Sequence, residues 1–359
     1  MPDAVHVVGA RPNFMKAAPV VAALADIGSK PLLIHTGQHF DEALSRVFFE
    51  ELGLPEPDLN LGVGSGTHAR QTADLMVALE RAFVDLAPRS VVVYGDVNSA
   101  LAAALVAAKL EIPLAHVEAG LRSFDRSMPE EINRVVTDAL AALHLVTSAE
   151  GVDHLAAEGI SGDGVVLVGN PMIDTLERFR DRLDPGAARL ARGLPERYAV
   201  ATIHRPANVD APATAAGVVE AFRRVAGLVP IILPLHPRGA PTLRRAGLWE
   251  VPGLVITGPL GYLEFMSLVA GAALVLTDSG GVQEETTVLG IPCLTLRDNT
   301  ERPITVTMGT NRLVGSDPAT VADAAEAALA GSFEARRPPL WDGNAGGRIA
   351  AVLHARSSS

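Results

Sequence analysis

Charged residues are concentrated in one segment, HVEAGLRSFDRSMPEEINR, which runs from residue 116 to 134. It carries four carboxylates and four basic groups: Glu118, Asp125, Glu130, Glu131, His116, Arg122, Arg126 and Arg134. The preceding run PLAHV (113–117) is typical of a short buried strand, which places Glu118 at the carboxyl end, where ligands bind in open α/β sheets. The pattern predicts a site for proton transfer, and a solvated charged face is the alternative.

A second segment, AALVLTDSGGVQEETTVLG (272–290), is typical of a strand, a tight turn and a helix. The helix starts at Ser279, Gly280 and Gly281. Unpaired N–H groups in a first helical turn and the helix dipole favour a phosphate, and glycine lets it approach the backbone. Glu285 follows one turn later, where it could accept hydrogen bonds from ribose hydroxyls. The segment predicts an anion site; a glycine-containing turn with Ser or Asp as N-cap is the alternative.

Other polar residues also follow predicted strands. The first turn, GARPNFMK (9–16), carries Arg11 and Lys16 around a helix start and lacks the GxGxxG pattern of dinucleotide-binding turns. Three further loops, YGDVNS, TIHRPANVD and TERP, bring polar side chains to the same predicted edge: Asp96, His204, Arg205 and Arg302. Taken alone, Asp96 is typical of a helix N-cap and His204 of a structural hydrogen bonder. Together with the anion site, they favour an enzyme that acts on a nucleotide sugar.

Alternating strands and helices must position these loops. Apolar runs typical of buried strands recur at 4–9, 31–36, 90–95, 113–117, 143–147 and 165–169, and again at 198–203, 230–235, 253–257, 272–277 and 291–296. Helix-length segments separate them, which is typical of parallel sheets covered by helices. The sequence therefore predicts an α/β protein with two Rossmann-like domains facing across a cleft.

The cluster GNPMIDTL (169–176) predicts the boundary between these domains. We expect an N-terminal domain over residues 1–170 and a C-terminal domain, which contains the anion site, over residues 171–343. A last helix at 344–355 is expected to complete the first domain.

Composition argues against several classes of function. The chain has 359 residues, is 48% hydrophobic and has a formal net charge of −11, which disfavours nucleic acid and anionic membranes as partners. No segment reaches about 18 uninterrupted apolar residues, and the first residues do not resemble a signal peptide. The one cysteine, Cys293, cannot form an internal disulfide. We expect a cytoplasmic protein without a metal or other cofactor, since no His/Cys cluster has metal-ligand spacing.

The chain closely resembles the non-hydrolysing UDP-N-acetylglucosamine 2-epimerases over essentially its whole length. The matching segments are GARPNFMKAAP, TGQHFDEALSRVFFEELGL, YGDVNSALA, HVEAGLRSFDRSMPEEINR, TIHRPANVD and TDSGGVQEETTVLGIPCLTLRDNTERP. The resemblance implies a glycosyltransferase-B-like arrangement of two Rossmann-like domains, usually in a homodimer. It also implies interconversion of UDP-GlcNAc and UDP-ManNAc.

The resemblance also implies roles for individual residues. In that family UDP is eliminated with loss of the C2 proton, which gives a 2-acetamidoglucal, and UDP is added again after protonation on the other face. Catalytic roles fall on Asp96, Glu118, Glu130 and His204, with base and acid left unassigned among the carboxylates. UDP binding falls on Arg11, Lys16, Ser279, Gly280, Gly281, Glu285 and Arg302. Uracil contact falls on Phe265, for which a core position on a helix is the alternative.

Several departures from the family pattern leave the exact hexosamine open. Asn13 and Phe14 follow Arg-Pro, Val97 stands where the family commonly has Thr, and Leu260 where some members have Gln. Gln38 and His39 belong to a segment that contributes to a regulatory site in some bacterial members, and His236 is a further candidate for the cleft.

Four other functions remain open. The first two are a 2-epimerase acting on a modified substrate such as a UDP-2,3-diacetamido-uronate, and a hydrolysing epimerase that releases free ManNAc. The third is a glycosyltransferase of the same architecture, which would need an acceptor cleft. The fourth is an inactive nucleotide-sugar sensor, which could keep the anion site while losing Asp96, Glu118 or Glu130, all of which are present.

Overall fold

The computed structural model describes residues 2–37, 49, 51–235, 239–331 and 336–357, with the backbone alone for Arg11 and Ser357. The chain divides into two compact units, one of residues 1–178 and 339–359 and the other of residues 179–338. Each unit is built on a parallel sheet with helices packed against it. The predicted α/β fold class with two parallel sheets is confirmed. In the described residues, no helix is long and apolar enough to cross a membrane.

The first unit contains a seven-stranded sheet in the order β3-β2-β1-β4-β5-β6-β7. Its strands are β1 (Val5–Val8), β2 (Leu32–His35), β3 (Leu59–Asn60), β4 (Val91–Tyr94), β5 (Leu114–Ala119), β6 (Leu143–Val146) and β7 (Val165–Leu167). Its helices are α1 (Arg11–Asp26), α2 (His68–Leu86), α3 (Asn98–Lys109), α4 (Pro129–Leu140), α5 (Ala149–Ala157) and α6 (Pro171–Phe179), which ends at the unit boundary.

The second unit contains a six-stranded sheet in the order β10-β9-β8-β11-β12-β13. Its strands are β8 (Ala199–Thr202), β9 (Ile231–Pro234), β10 (Leu254–Thr257), β11 (Leu274–Thr277), β12 (Cys293–Thr295) and β13 (Asn311–Leu313). Its α-helices are α7 (Pro185–Ala191), α8 (Pro206–Val209), α9 (Pro212–Ala226), α10 (Ala240–Arg245), α11 (Tyr262–Ala270), α12 (Gly280–Leu289), α13 (Ile304–Thr307) and α14 (Pro318–Ala330). Two 3₁₀ turns cover Arg180–Arg182 and Leu248–Glu250, and a last helix, α15 (Ala345–Ser357), returns to the first unit.

Every apolar run predicted as a strand contains one. The central strands are continuous apolar sequence because they are buried on both faces. Two strands were not predicted. They are β3 and β13, which lie at the sheet edges and have only two and three residues. Their polar residues Asn60, Asn311 and Arg312 interrupt any apolar run, so the sequence carries no strand signal there.

The predicted boundary after residue 170 is too early; the units divide after Arg178. The reason is that α6 packs in the first unit. Asp174 accepts hydrogen bonds from the Ala345 and Gly346 amides at 3.0 and 2.6 Å, and Thr175 donates to the Met15 carbonyl at 2.6 Å. The second crossing likewise comes earlier than the predicted residue 343, at 338/339.

Candidate active site

Glu118 lies at a β-bulge in β5, within the strand and not after it as predicted. The register of β5 on β6 shifts between Val117 and Ala119, and Glu118 has a φ of 73°. Such a conformation costs a non-glycine residue about 1–3 kcal/mol. A bulge re-aims its extra side chain, and here the Glu118 carboxylate forms an ion pair with Lys16 of α1, both groups being buried.

Gly95 provides the space for this ion pair. A Cβ at Gly95 would lie 2.7 Å from Lys16 Nζ and 2.8 Å from Glu118 Oε2. Gly95 also has a φ of 61°, in the left-handed region that favours glycine. Asp96 follows directly, so the loop that carries Asp96 begins where the ion pair packs.

Asp96 is held by a buried arginine. Its Oδ2 accepts hydrogen bonds from Arg134 Nε and Nη2 at 3.2 and 2.5 Å, and its carbonyl accepts one from Asn133 at 2.8 Å. The N-cap of α3 is Val97. The alternative that Asp96 caps this helix is therefore wrong, and its carboxylate belongs to the charged cluster of the HVEAG segment.

The two adjacent glutamates at the start of α4 have different surroundings. Glu131 is buried and accepts hydrogen bonds from the Ser123 amide and hydroxyl and from the Phe124 amide, each at 2.9 Å, and from Arg134 at 2.5 Å. Glu130 is half-buried, and within the described chain its side chain has no hydrogen bond or ion pair. Glu131 therefore holds the loop after β5, while Glu130 remains open to a ligand.

The turn between β1 and α1 is organised by a residue that sequence reasoning did not assign to the site. The Asn13 side chain accepts hydrogen bonds from the Gly9 and Ala10 amides, both at 3.1 Å, and donates to the Tyr94 carbonyl at 2.7 Å. It thereby ties this turn to the end of β4. Arg11 begins α1, but its side chain lies outside the described part of the structure, as do Gln38, His39 and His236.

In the second unit, Asp278 organises the loop that carries His204. Asp278 is fully buried and accepts hydrogen bonds from His204 Nδ1 at 2.9 Å, the Arg205 amide at 2.9 Å and Asn208 at 3.1 Å. Burial opposes its ionisation, but these hydrogen bonds and the charge of His204 outweigh burial and hold the pKa of Asp278 below its usual value. His204 stays half-exposed, so Asp278 orients an accessible imidazole. The only sequence signal for Asp278 was its place between a buried strand and two glycines.

The predicted anion site lies at the start of α12. Ser279 occupies the N-cap position, yet among the described residues its side chain makes no capping hydrogen bond. A Cβ at Gly280 would lie 2.3 Å from Arg302 Nη1 and 2.8 Å from Glu301 Oε1. Gly280 therefore allows a guanidinium to pack directly against the first helical turn, and Gly281 follows it. Unpaired N–H groups and a nearby cation are the combination that binds phosphate.

Arg302 is part of a buried network of charges. It donates to Glu284 Oε1 and Glu301 Oε1, both at 2.6 Å. Glu301 also accepts hydrogen bonds from Arg297 at 2.7 Å and Arg205 at 3.3 Å. Three guanidiniums are thus gathered around two carboxylates next to the helix start. Sequence reasoning did not assign this role to Glu301.

The predicted nucleoside contacts lie on α11 and α12. Glu285 is buried and accepts a hydrogen bond from the Tyr262 hydroxyl at 3.0 Å. Phe265 lies one turn after Tyr262 on α11 and is half-buried. The described candidate residues thus form two groups, one at the carboxyl edge of each sheet.

Known proteins resemble this chain over nearly its whole length. The sequence profile of the UDP-N-acetylglucosamine 2-epimerase family matches residues 23–354. The chain belongs to this family. A UDP-N-acetylglucosamine 2-epimerase from Methanocaldococcus jannaschii is 40% identical, covering 97% of each chain. A UDP-2,3-diacetamido-2,3-dideoxy-D-glucuronate 2-epimerase from Pseudomonas aeruginosa is 39% identical, covering 97% of this chain and 98% of the relative.

Solved structures of the epimerase family agree with the fold. The crystal structure of the Methanocaldococcus jannaschii UDP-GlcNAc 2-epimerase in complex with UDP-GlcNAc and UDP aligns with a TM-score of 0.92 at 40% identity, covering 98% of this chain and 99% of that one. The predictions of the family and of an isomerase are confirmed.

Proposed function

We propose that this epimerase-family member is a non-hydrolysing UDP-GlcNAc 2-epimerase that interconverts UDP-GlcNAc and UDP-ManNAc. The observation that carries the proposal is the buried carboxylate of Glu118, held in a left-handed conformation and paired with Lys16. A strained, buried carboxylate is expensive to maintain and is typical of a reaction centre. The 40% identical archaeal 2-epimerase supports the same reaction.

The proposed reaction is an elimination followed by an addition. A carboxylate takes the C2 proton, the C–H electrons form a C1–C2 double bond, and the C1–O bond breaks with its electron pair leaving on UDP. A proton is then delivered to C2 from the opposite face while UDP adds back to C1. Because the C2 proton is weakly acidic, the base must be positioned and the charge on departing UDP must be stabilised.

We assign the base role to Glu118, whose buried side chain is fixed at the bulge of β5 by its ion pair with Lys16. We assign the acid role to Glu130, which has no hydrogen bond within the described chain and can therefore carry a proton to the sugar. Asp96, fixed by Arg134, would hold the sugar between them.

The second unit would bind UDP. The Gly280 and Gly281 N–H groups and the Ser279 hydroxyl would receive the diphosphate, with Arg302 beside them, since the Ser279 N–H already donates to Thr277 Oγ1 at 2.9 Å. His204, oriented by Asp278, would donate to the departing phosphate oxygen. Glu285 would accept hydrogen bonds from ribose and Phe265 would contact uracil, while Arg11 and Lys16 of the first unit would supply further positive charge.

A 2-epimerase acting on a UDP-2,3-diacetamido-uronate is the second candidate, because the Pseudomonas relative is nearly as similar. A uronate carboxylate would require a cation near the sugar. Arg122 is paired with Asp138 and Glu158, and Arg134 is paired with Asp96 and Glu131. Since both buried arginines of this segment are already neutralised, we favour the uncharged N-acetylglucosamine sugar.

We also propose that the enzyme is a cytoplasmic homodimer serving polysaccharide biosynthesis. Its one cysteine is buried and unpaired, as expected in a reducing compartment. Two valines of α2, Val77 and Val84, are 52% and 61% exposed. A groove of about 540 Å³ on α2, α3 and α4 is mainly apolar, and its lining includes Ala69, Met76, Leu101 and Ile132. Such a face is suited to a second copy, and light scattering of the purified protein would test this.

Proton NMR in deuterated water tests the reaction and its substrate. Purified enzyme is incubated with UDP-GlcNAc without added metal, and in a second tube with the UDP-2,3-diacetamido-uronate. Growth of a UDP-ManNAc anomeric signal with deuterium at C2 is the expected result. Turnover of the uronate alone would establish the second candidate. Release of free ManNAc and UDP would show a hydrolysing enzyme, and binding without turnover of either compound would refute the epimerase proposal.

A further inference from the structure

One buried side-chain pair, His116 and Asp138, contacts the backbone directly before Asp96 and two residues after Glu118. His116 lies on β5, two residues before Glu118, and is fully buried. Its Nε2 lies 3.0 Å from the carbonyl oxygen of Gly95, the residue directly before Asp96. Its Nδ1 lies 2.6 Å from Asp138 Oδ1 on α4.

Asp138 in turn contacts the backbone that follows Glu118. Its Oδ2 accepts hydrogen bonds from the Gly120 amide at 3.1 Å and from Arg122 Nη1 at 2.7 Å. Gly120 follows the bulge at a φ of 80°, so the chain turns sharply at this point. Burial opposes ionisation of Asp138, but the charges and hydrogen bonds of His116 and Arg122 outweigh burial and hold its pKa below the usual value.

These contacts define the charge of His116. A carbonyl oxygen can only accept a hydrogen bond, and an ionised carboxylate can also only accept. Both ring nitrogens of His116 face such acceptors, so both must carry a hydrogen and the ring is an imidazolium. The carboxylate of Asp138 and the two hydrogen bonds offset the cost of burying this cation.

We propose that His116 is a positioning residue, an imidazolium whose two N–H groups fix the loops that place Asp96 and Glu118. The inference rests on the proposed function, since it supposes that these two carboxylates act on the sugar. Gly95 and Gly120 have little preference for the conformations they adopt, and Glu118 is strained in its own. The His116–Asp138 pair therefore adds a backbone restraint beside each carboxylate to the side-chain restraints from Arg134 and Lys16.

His144 provides a matched control on the neighbouring strand. It is the register partner of His116 in β6 and is also buried. Its Nε2 lies 2.8 Å from the main-chain carbonyl of Asp138, and within the described chain its Nδ1 has no hydrogen-bond partner. Within the described chain, His144 makes no hydrogen bond to the backbone beside Asp96 or Glu118.

Steady-state kinetics of His116→Gln, Asp138→Asn, the double variant and His144→Gln test the proposal. We expect kcat to fall about 10²-fold in both single variants, since a displacement of about 1 Å can cost that much. KM and the Kd for UDP should change less than about threefold. The double variant should lose no more kcat than the worse single variant, because the two residues act as a unit.

His144→Gln is the control and should lower Tm by a similar amount while kcat stays within about twofold of wild type. Additive losses in the double variant, or an equal loss of kcat in His144→Gln, would overturn the proposal.

The charge of His116 can be measured without any substrate. In ¹⁵N-labelled wild-type enzyme, NMR of the histidine rings should reveal one ring with hydrogens on both nitrogens at neutral pH, and His116→Gln should remove its signals. A His116 ring with one bare nitrogen would overturn the proposal even if the enzyme is active. Failure of wild type to turn over either UDP-sugar would instead count against the proposed function, and the ring signals would still decide the charge of His116.

Discussion

Each unit contains a histidine hydrogen-bonded to a fully buried aspartate, but the two pairs face different surroundings. In the first unit, His116 is fully buried against Asp138. In the second, His204 is 48% exposed while its partner Asp278 is buried. Both aspartates are held below their usual pKa. The same chemical pair thus acts as an internal restraint in one unit and presents an imidazole to the surface in the other.

The surroundings of the two pairs extend this contrast. Near His116 the candidate groups are carboxylates: Asp96 on the loop after β4, Glu118 at the bulge in β5 and Glu130 at the start of α4. Near His204 the candidate groups are the start of α12 and a cluster of guanidiniums around Gly280. Carboxylates suit proton transfer and helix N–H groups suit phosphate. Proton chemistry is therefore expected to depend on the first unit and nucleotide affinity on the second.

Replacing Glu118 with Gln should have the largest effect. Without a carboxylate the C2 proton has no base, so kcat should fall about 10³-fold, within the range known for general bases. The Kd for UDP, measured by calorimetry, should change less than about threefold. Glu80→Gln, at an exposed position on α2, is the control and should keep wild-type kcat. A Glu118→Gln enzyme within tenfold of wild type would place the base elsewhere.

Gly280→Ala should show the opposite behaviour. The added methyl would lie 2.3 Å from Arg302 Nη1 and must displace the guanidinium from the helix start. We expect UDP to bind about 10²-fold more weakly, since charge-assisted hydrogen bonds to the diphosphate are lost. Gly258→Ala is the matched control, because a Cβ there meets nothing within 4 Å. Unchanged UDP affinity in Gly280→Ala would show that this helix start does not bind the nucleotide.

His204→Gln sharpens the comparison between the two histidines. The free energy of unfolding should fall by about 1 kcal/mol, because half-exposed His204 donates a hydrogen bond to the buried carboxylate of Asp278. UDP affinity should fall about tenfold, equivalent to about 1.4 kcal/mol. Urea unfolding and calorimetry on the same preparation would measure both. A large loss of stability with unchanged affinity would mean that His204 only stabilises the fold.

The pH dependence of stability should be alike in the two units. A carboxyl whose folded pKa is depressed contributes stability that is present above its unfolded pKa of about 3.9 and is lost as pH falls through the folded pKa. Asp138→Asn and Asp278→Asn should each remove about 1–3 kcal/mol at pH 6 and clearly less at pH 3. Urea unfolding at both pH values measures this, with exposed Asp153→Asn as the control. An equal loss at both pH values would contradict an ionised aspartate.

Prediction from sequence was most successful where the signal is local. The central strands were found from their apolar runs, and the start of α12 from a strand followed by Ser279 and two glycines. The short edge strands β3 and β13 and the unit boundary were missed, because these depend on pairing with distant chain. The position of α6 in the first unit, for example, depends on Asp174 meeting the start of α15.

Residue types and their spacing were enough to predict two parallel α/β units, an anion site at a glycine-rich helix start and a group of carboxylates at and after the end of β5. The partner of each charged group, in contrast, depends on the folded chain. Glu118 meets Lys16 across 102 residues, and a bulge turns it there. Glu130 and Glu131 are neighbours in sequence, yet helical geometry points them about 100° apart, so one is buried under the loop and the other is open. Side-chain direction and long-range pairing are not encoded in residue type, and these two factors decide whether a charged segment forms a defined site.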